Sequence, residues 1–98
     1  MLPDLGNLTG FEWDAGNERK SASKHGVAPR ECEEAFFNDP VLLLDDHGHS
    51  LKEPRFHLLG RTDAHRKLFI TFTVRKTRIR VISARPMNRK ERIIYEKT

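Results

Sequence analysis

RFHLLGRTDAHRKLFITFTVRKTRIRVISA, residues 55–84, contains three runs in which apolar and polar side chains alternate, separated by two turn signals. Period-two alternation marks half-buried strands, so Arg55 to Thr62, Lys67 to Val74 and Arg78 to Ala84 read as an antiparallel meander. Asp63-Ala64-His65-Arg66 supplies the first turn and Arg75-Lys76-Thr77 the second. Side chains at i and i+2 share a face of a strand. Phe56 and Leu58, then Leu68, Ile70, Phe72 and Val74, then Ile79 and Val81 therefore form an apolar face that needs helices over it. The other parity holds Arg55, His57 and Arg61, then Lys67, Thr71, Thr73 and Arg75, then Arg78 and Arg80. This face is basic, interrupted by Leu59, Phe69 and Ile82. A twisted sheet with one wet, cationic face that carries an aromatic suits single-stranded nucleic acid. A face kept soluble by Arg and Lys is the plainer alternative.

Upstream of the meander, Phe11-Glu12-Trp13 reads as a very short strand, and Asp14 caps a helix over residues 15–24 that ends at Gly26 as a left-handed residue. Pro29 suits the first position of a second helix, with Glu31, Glu33 and Glu34 near its positive end and Cys32, Ala35 and Phe36 on its buried stripe. Asn38-Asp39-Pro40 stops it. Val41 to Leu44 is a short apolar strand, followed by the loop Asp45 to Ser50. Downstream, Asn88 caps a last helix through Tyr95, in which Ile93 and Ile94 supply a small apolar patch. Residues 1–10, with Pro3, Gly6, Asn7 and Gly10, read as a flexible leader, and residues 11–98 as a single domain. The expected class is α+β: two N-terminal helices and a C-terminal helix packed against a mainly antiparallel sheet of about four strands.

With 98 residues, of which 37% are apolar and 33% charged, and a mean hydropathy of -0.66, the chain has material for one thin core. A multi-domain enzyme is excluded. No run approaches the roughly 20 apolar residues needed to cross a bilayer, and the first ten residues lack a signal-peptide pattern, so the expectation is a soluble, cytoplasmic protein. Cys32 is the single cysteine, which excludes an internal disulfide and a multi-cysteine zinc site. Residues 1–49 carry four Lys and Arg against ten Asp and Glu, whereas residues 50–98 carry fourteen against four. Such asymmetry, with a pI near 9.6, is the footprint of a protein that meets a polyanion, RNA or DNA first among them.

Phe11-Glu12-Trp13-Asp14, Lys24-His25-Gly26-Val27, Glu34-Ala35 with Asp39-Pro40, Leu59-Gly60-Arg61, Ile79 to Arg85, and Glu91-Arg92 with Tyr95-Glu96 stand in a fixed order over residues 11–96. In this order the chain resembles the BrnT toxins. The resemblance implies a RelE-like fold and a small ribonuclease toxin of a type II toxin-antitoxin module. It further implies a BrnA-like antitoxin whose ribbon-helix-helix part binds operator DNA, in a two-plus-two assembly. Asn17 and Ser21 stand where that family usually has a lysine and an asparagine, and Lys52-Glu53-Pro54 and the turn at Lys76 lack its glycines.

Cutting RNA without a metal requires a proton acceptor for the 2′-hydroxyl, cations on the developing phosphorane and a proton donor for the leaving oxygen. Arginine suits the second task because its planar fork meets phosphate bidentately. The candidates are Arg55, Arg61 and Arg80 from the basic face and Arg85 from the family's motif, with a surface ion pair or solubilising residue as the plainer reading of each. His25 and Glu53 are candidates for proton transfer, and Lys24 for a phosphate contact; a helix cap, an ion pair and a solvated lysine are their plainer readings. Lys67, Phe69, Arg75 and Arg78 are candidate RNA contacts. Asp45, Asp46, His47 and His49 lack the ordered spacing of a known metal site, so neither metal nor cofactor is expected. His57 and His65 read as surface residues, Cys32 as core, and Trp13 as packing rather than base stacking. The alternative to an endoribonuclease that arrests translation is a module that binds nucleic acid on the basic face without cutting it.

Overall fold

The computed structural model describes residues 2–46, 48 and 53–98. The meander forms as the alternation dictates. β3 (Phe56–Arg61) pairs antiparallel with β4 (Lys67–Arg75), and β4 with β5 (Arg78–Pro86). Two further strands extend it: β2 (Leu42–Asp45) lies antiparallel to β3, and β1 (Gly10–Phe11) lies parallel to β5. The order β1-β5-β4-β3-β2 makes a mixed sheet of five strands, where about four and mainly antiparallel were expected. The fifth member is the Phe11 segment, too short to carry a pairing signal of its own.

The inner face holds Phe56, Leu58, Leu68, Ile70, Phe72, Ile79, Val81 and Ala84, all buried in one cluster with Val27 and with Cys32, Ala35 and Phe36 of α2 (Pro29–Phe37). Each large aliphatic or aromatic side chain buried in this way contributes about 1.5–3 kcal/mol, which is how a short, charge-rich chain holds its fold. Phe36 sets its ring edge-on to Phe72 at 5.0 Å and to Phe11 at 5.3 Å. Leu5, the first residue of a 3-10 turn at Leu5–Asn7, and Leu8 just after it pack against the same core. Among the described residues, no buried side-chain nitrogen or oxygen lacks a hydrogen-bond partner.

The first helix is shorter than its sequence suggests. α1 spans Lys20–His25, not 15–24. The Asp14 carboxylate accepts from Gly16 N at 2.8 Å, and Asn17 Oδ1 accepts from Asp14 N at 2.9 Å, so local side-chain bonds hold residues 14–19 as turns. α1 ends as expected at Gly26, with φ 66°. α1 and the turns before it run along the edge of β5 that β1 leaves uncovered: Asn17 Nδ2, in the turns, donates to Val81 O at 2.9 Å, and Ser21 Oγ, in the helix, accepts from Ala84 N at 2.7 Å.

α3 (Arg89–Glu96) begins with a reciprocal box in which Asn88 accepts from Glu91 N and Glu91 accepts from Asn88 N. It packs on the opposite face of the sheet from α2. Tyr95 and Met87 close over Leu59, with Leu42 and Phe69 beside them, and Tyr95 Oη donates to Pro40 O at 2.7 Å. Ile93 and Ile94 stay exposed, so the buried anchor of this helix is Tyr95. A register shift separates the pairs Thr71–Ser83 and Phe72–Val81, leaving Ile82 as the extra residue on β5. This bulge reverses the parity of the end of β5 and brings Ser83 and Arg85 to the same face as Arg80.

Candidate active site

α3 covers only one end of the outer face. Beyond it lies a cleft of about 320 Å³ lined by Lys20, Asp46, Arg55, His57, Phe69, Thr71, Ile82 and Ser83. A second hollow of about 250 Å³, lined by Lys20, Ser21, Lys24, His25, Ser83, Ala84 and Arg85, shares Lys20 and Ser83 with it. Together they form one groove between β3, the bulged part of β5 and α1. Lys24, His25, Arg55, Arg85 and Phe69 of the expected site residues meet there.

Phe69 is the groove's organising ring. The Arg85 guanidinium lies 4.3 Å from its centroid, and the His57 imidazole lies 4.6 Å from it. Arg85 is held in that position by a bidentate pair with Glu91, both contacts 2.8 Å. The Arg85 hydrogen bonds keep the Glu91 carboxyl below the usual glutamate range, and Glu91 in turn raises Arg85 further above neutrality. Lys20 and Lys24 line the groove and make no ion pair among the described residues.

The other expected cations sit elsewhere, and Arg80, Arg75, Arg78 and Lys67 are engaged. Arg80, only 15% exposed, makes a bidentate pair with Asp14 and a further bond to Glu12 at 2.9 Å. Arg75 is gripped by Glu53 at 2.9 and 3.1 Å and reaches Glu12 at 3.4 Å. Glu53 is hydrogen-bonded to Arg75, whose bonds chiefly hold its carboxyl below its ordinary range, with the nearby Arg55 charge acting in the same direction. Arg78 donates to Phe11 O and anchors β1. Lys67 pairs with Glu96 of α3 at 2.8 Å. Arg61 lines a separate hollow with Asn38, Thr62, Asp63 and His65, beyond the part of the sheet that α3 covers. Thr73, on the basic parity, is fully buried and donates to Pro54 O.

The alternation places His57 between Arg55 and Leu59 on the basic face, yet a surface reading misses its surroundings. Its side chain is 24% exposed, and Nε2 lies 3.1 Å from Oδ2 of Asp46, itself 9% exposed. The signal available in sequence was a carboxylate pair, Asp45-Asp46, at the far end of the strand that pairs with β3. Lys20 was missed for a different reason: a helix begun at residue 15 gives no sign that its first turn faces the sheet. Trp13 donates to Glu33 at 2.7 Å and packs on the core, away from the groove. Cys32 is buried, and burial, then the Glu31 and Glu33 charges, push its thiol up to about 12, which leaves it inert as a nucleophile. Among the described residues, no three His, Cys, Asp or Glu side chains converge as metal ligands; His47 and His49 lie outside the described residues. No described helix is long and apolar enough to cross a membrane.

The family model described as "ribonuclease toxin, BrnT, of type II toxin-antitoxin system" matches residues 13–91. The chain belongs to the BrnT family. The match takes in the whole of the groove, from Lys20 on α1 to Glu91 on α3. No individual curated protein matches the chain. BrnT membership makes RNA the substrate class and an antitoxin the partner, in keeping with a cationic groove on an open sheet face.

Proposed function

We propose that this BrnT-family chain is a metal-independent endoribonuclease that cuts RNA in the groove on the outer face of the sheet and thereby arrests translation. The observation that carries this reading is that two hollows sharing Lys20 and Ser83 gather Lys20, Lys24, His25, Arg55 and Arg85, from α1, the start of β3 and β5, with the Arg85 guanidinium over the Phe69 ring. The lysines neutralise the backbone of the bound strand, and the two arginines face the phosphate at which negative charge grows as the 2′-oxygen attacks. The ring and the guanidinium over it offer a platform for a base. His25, at the C-terminal end of α1, stands where an acid for the departing 5′-oxygen belongs. Arg75, Arg78 and Arg80 are committed to carboxylates and to a backbone carbonyl, so their role is to hold β1 and the strand ends that frame the groove.

The partner in this reading is a BrnA-like ribbon-helix-helix antitoxin that covers the cationic groove with an acidic or amphipathic segment, in a two-plus-two complex that reaches operator DNA only through the antitoxin.

The test is to incubate the antitoxin-free protein with end-labelled RNA in excess chelator, with and without ribosomes. Fragments ending in 2′,3′-cyclic phosphate are expected. Arg85→Ala is expected to lower the cleavage rate about 10²- to 10³-fold while keeping much of the salt-dependent RNA affinity. Intact RNA from a folded protein under both conditions overturns the reading. Equal loss of binding and cleavage in the variant favours the module that binds without cutting.

A further inference from the structure

The ribonuclease reading leaves one task without a residue: accepting the proton of the attacking 2′-hydroxyl. Glu53, the carboxylate expected to do it, is tied into a bidentate pair with Arg75, and its depressed affinity for protons makes it a poor base. We infer that His57, oriented by Asp46, is the proton acceptor of the groove.

The inference rests on geometry. His57 reaches the cleft from β3 with Arg55 two residues before it on the same face, so a phosphate held by Arg55 lies beside the imidazole. An ionised carboxylate only accepts hydrogen bonds, so in the neutral imidazole the 3.1 Å contact with Asp46 Oδ2 puts the ring hydrogen on Nε2 and the lone pair on Nδ1. Asp46 is nearly buried where the chain leaves β2, and its backbone N–H donates to Arg55 O at 3.0 Å, so the carboxylate is fixed relative to β3. On the other side the ring rests against Phe69. A histidine with its tautomer set by a carboxylate and its plane set by an aromatic is oriented for proton transfer in a way that an ordinary surface histidine is not. Besides Asp46, the charged groups around it are Lys20 on α1, Arg55 just before β3, Arg85 on β5 and Glu91 on α3.

In the step itself the 2′-oxygen bonds to the adjacent phosphorus as its proton passes to His57 Nδ1. The bond from phosphorus to the 5′-oxygen breaks, and that oxygen takes a proton from an acid of the groove or from water. The products are a 2′,3′-cyclic phosphate and a 5′-hydroxyl, and the proton on His57 is returned to solvent. His57 is thus catalytic and Asp46 a positioning residue.

This assignment rests on the ribonuclease reading, and the experiment separates the two. Cleavage of an end-labelled oligoribonucleotide is followed for the full chain and for His57→Ala, His57→Gln, Asp46→Asn, the double variant Asp46→Asn/His57→Ala, and His65→Asn as a histidine control far from the groove. His57→Ala and His57→Gln are expected to lower kcat by about 10²- to 10⁴-fold with KM within about threefold of the parent. Added imidazole is expected to restore part of the rate of His57→Ala alone. Asp46→Asn is expected to lower kcat in the parent but to have no further effect once His57 is gone, the non-additivity of a pair that acts as a unit. A parent that cuts while both folded His57 variants keep its kcat overturns the assignment and leaves the ribonuclease reading standing. Loss through KM alone, or loss that imidazole does not relieve, assigns His57 to binding or structure and overturns it as well. A parent that cuts nothing overturns the ribonuclease reading, and the proton acceptor with it.

Discussion

Asn17 and Ser21 depart from the residues that the BrnT resemblance expects, and both departures sit on the one stretch of β5 that has no neighbouring strand. Asn17 Nδ2 donates to Glu12 O at 3.0 Å and Val81 O at 2.9 Å, while Ser21 Oγ takes the Ala84 N–H. Both side chains are buried. They therefore replace the missing ladder with side-chain bonds and blunt an edge that would otherwise invite pairing with another chain. Removing the amide leaves two carbonyls short of a donor in a dry site, which costs about 1–3 kcal/mol. Asn17→Ala is expected to lower the urea midpoint accordingly. Asn17→Asp, which offers no donor to either carbonyl and adds a charge, is expected to lower it further. Equal midpoints for Asn17→Ala and the parent would remove Asn17 from the account of how α1 is docked.

Docking of α2 on the sheet depends on a single small residue of β3. A Cβ built at Gly60 falls 2.6 Å from Ala35 O and 2.8 Å from Leu58 Cδ2, so the helix backbone and the strand share space that any side chain would fill. Gly60→Ala is expected to destabilise the protein by about 1–3 kcal/mol, read as a lower Tm and urea midpoint, with the α-helical circular dichroism retained up to the transition. Much at this scale was legible in sequence because it rests on local chemistry. Pro29 and Asn88 mark helix starts, Gly26 a left-handed stop, and alternation marks the three long strands. What was not legible depends on contacts between distant segments. Glu12, Asp14 and Glu53 capture Arg75 and Arg80 across 22 to 68 residues of chain. Parity counting alone assigned those arginines to the open face. The bulge at Ile82 is likewise invisible to a period-two count, yet it is what turns Arg85 toward the same face as Arg80, and the outer-face packing of α3 hangs on one tyrosine. The groove was half legible: its cations Arg55 and Arg85 were named, whereas Lys20 and the Asp46 to His57 contact follow only from the register of β2 on β3 and the path of α1.

Across the whole molecule ion pairs frame the groove instead of filling it, one of them, Asp14 with Arg80, joining the acidic first half to the basic second half and the others lying within the second half. Asp14 and Glu53 lie at one end of the outer face, and Glu91 and Glu96 reach it from α3 at the other. All four carboxyls are held below their ordinary values, in each case chiefly by hydrogen bonds from a cation: Arg80 on Asp14, Arg75 on Glu53, Arg85 on Glu91 and Lys67 on Glu96. A carboxyl with a depressed folded value takes up a proton more readily in the unfolded chain. Stability from these groups is therefore present above the ordinary values of 3.8 and 4.5, and is lost as the pH falls through the lower folded ones. These pairs are expected to add no pH dependence to the urea midpoint between about pH 7 and 5, and a steep fall below about pH 4.5. Three of the pairs are open enough to solvent for salt to weaken them. The Glu91 side chain, 15% exposed and also the reciprocal cap of α3, is expected to carry the largest single share. Glu91→Gln is accordingly expected to flatten the acid limb of the midpoint profile more than Glu96→Gln does, and to leave Arg85 over Phe69 without its carboxylate. A midpoint that rises on acidification below pH 4.5, or an acid limb unchanged by Glu91→Gln, would show that these ion pairs are not what sets the acid stability of the fold.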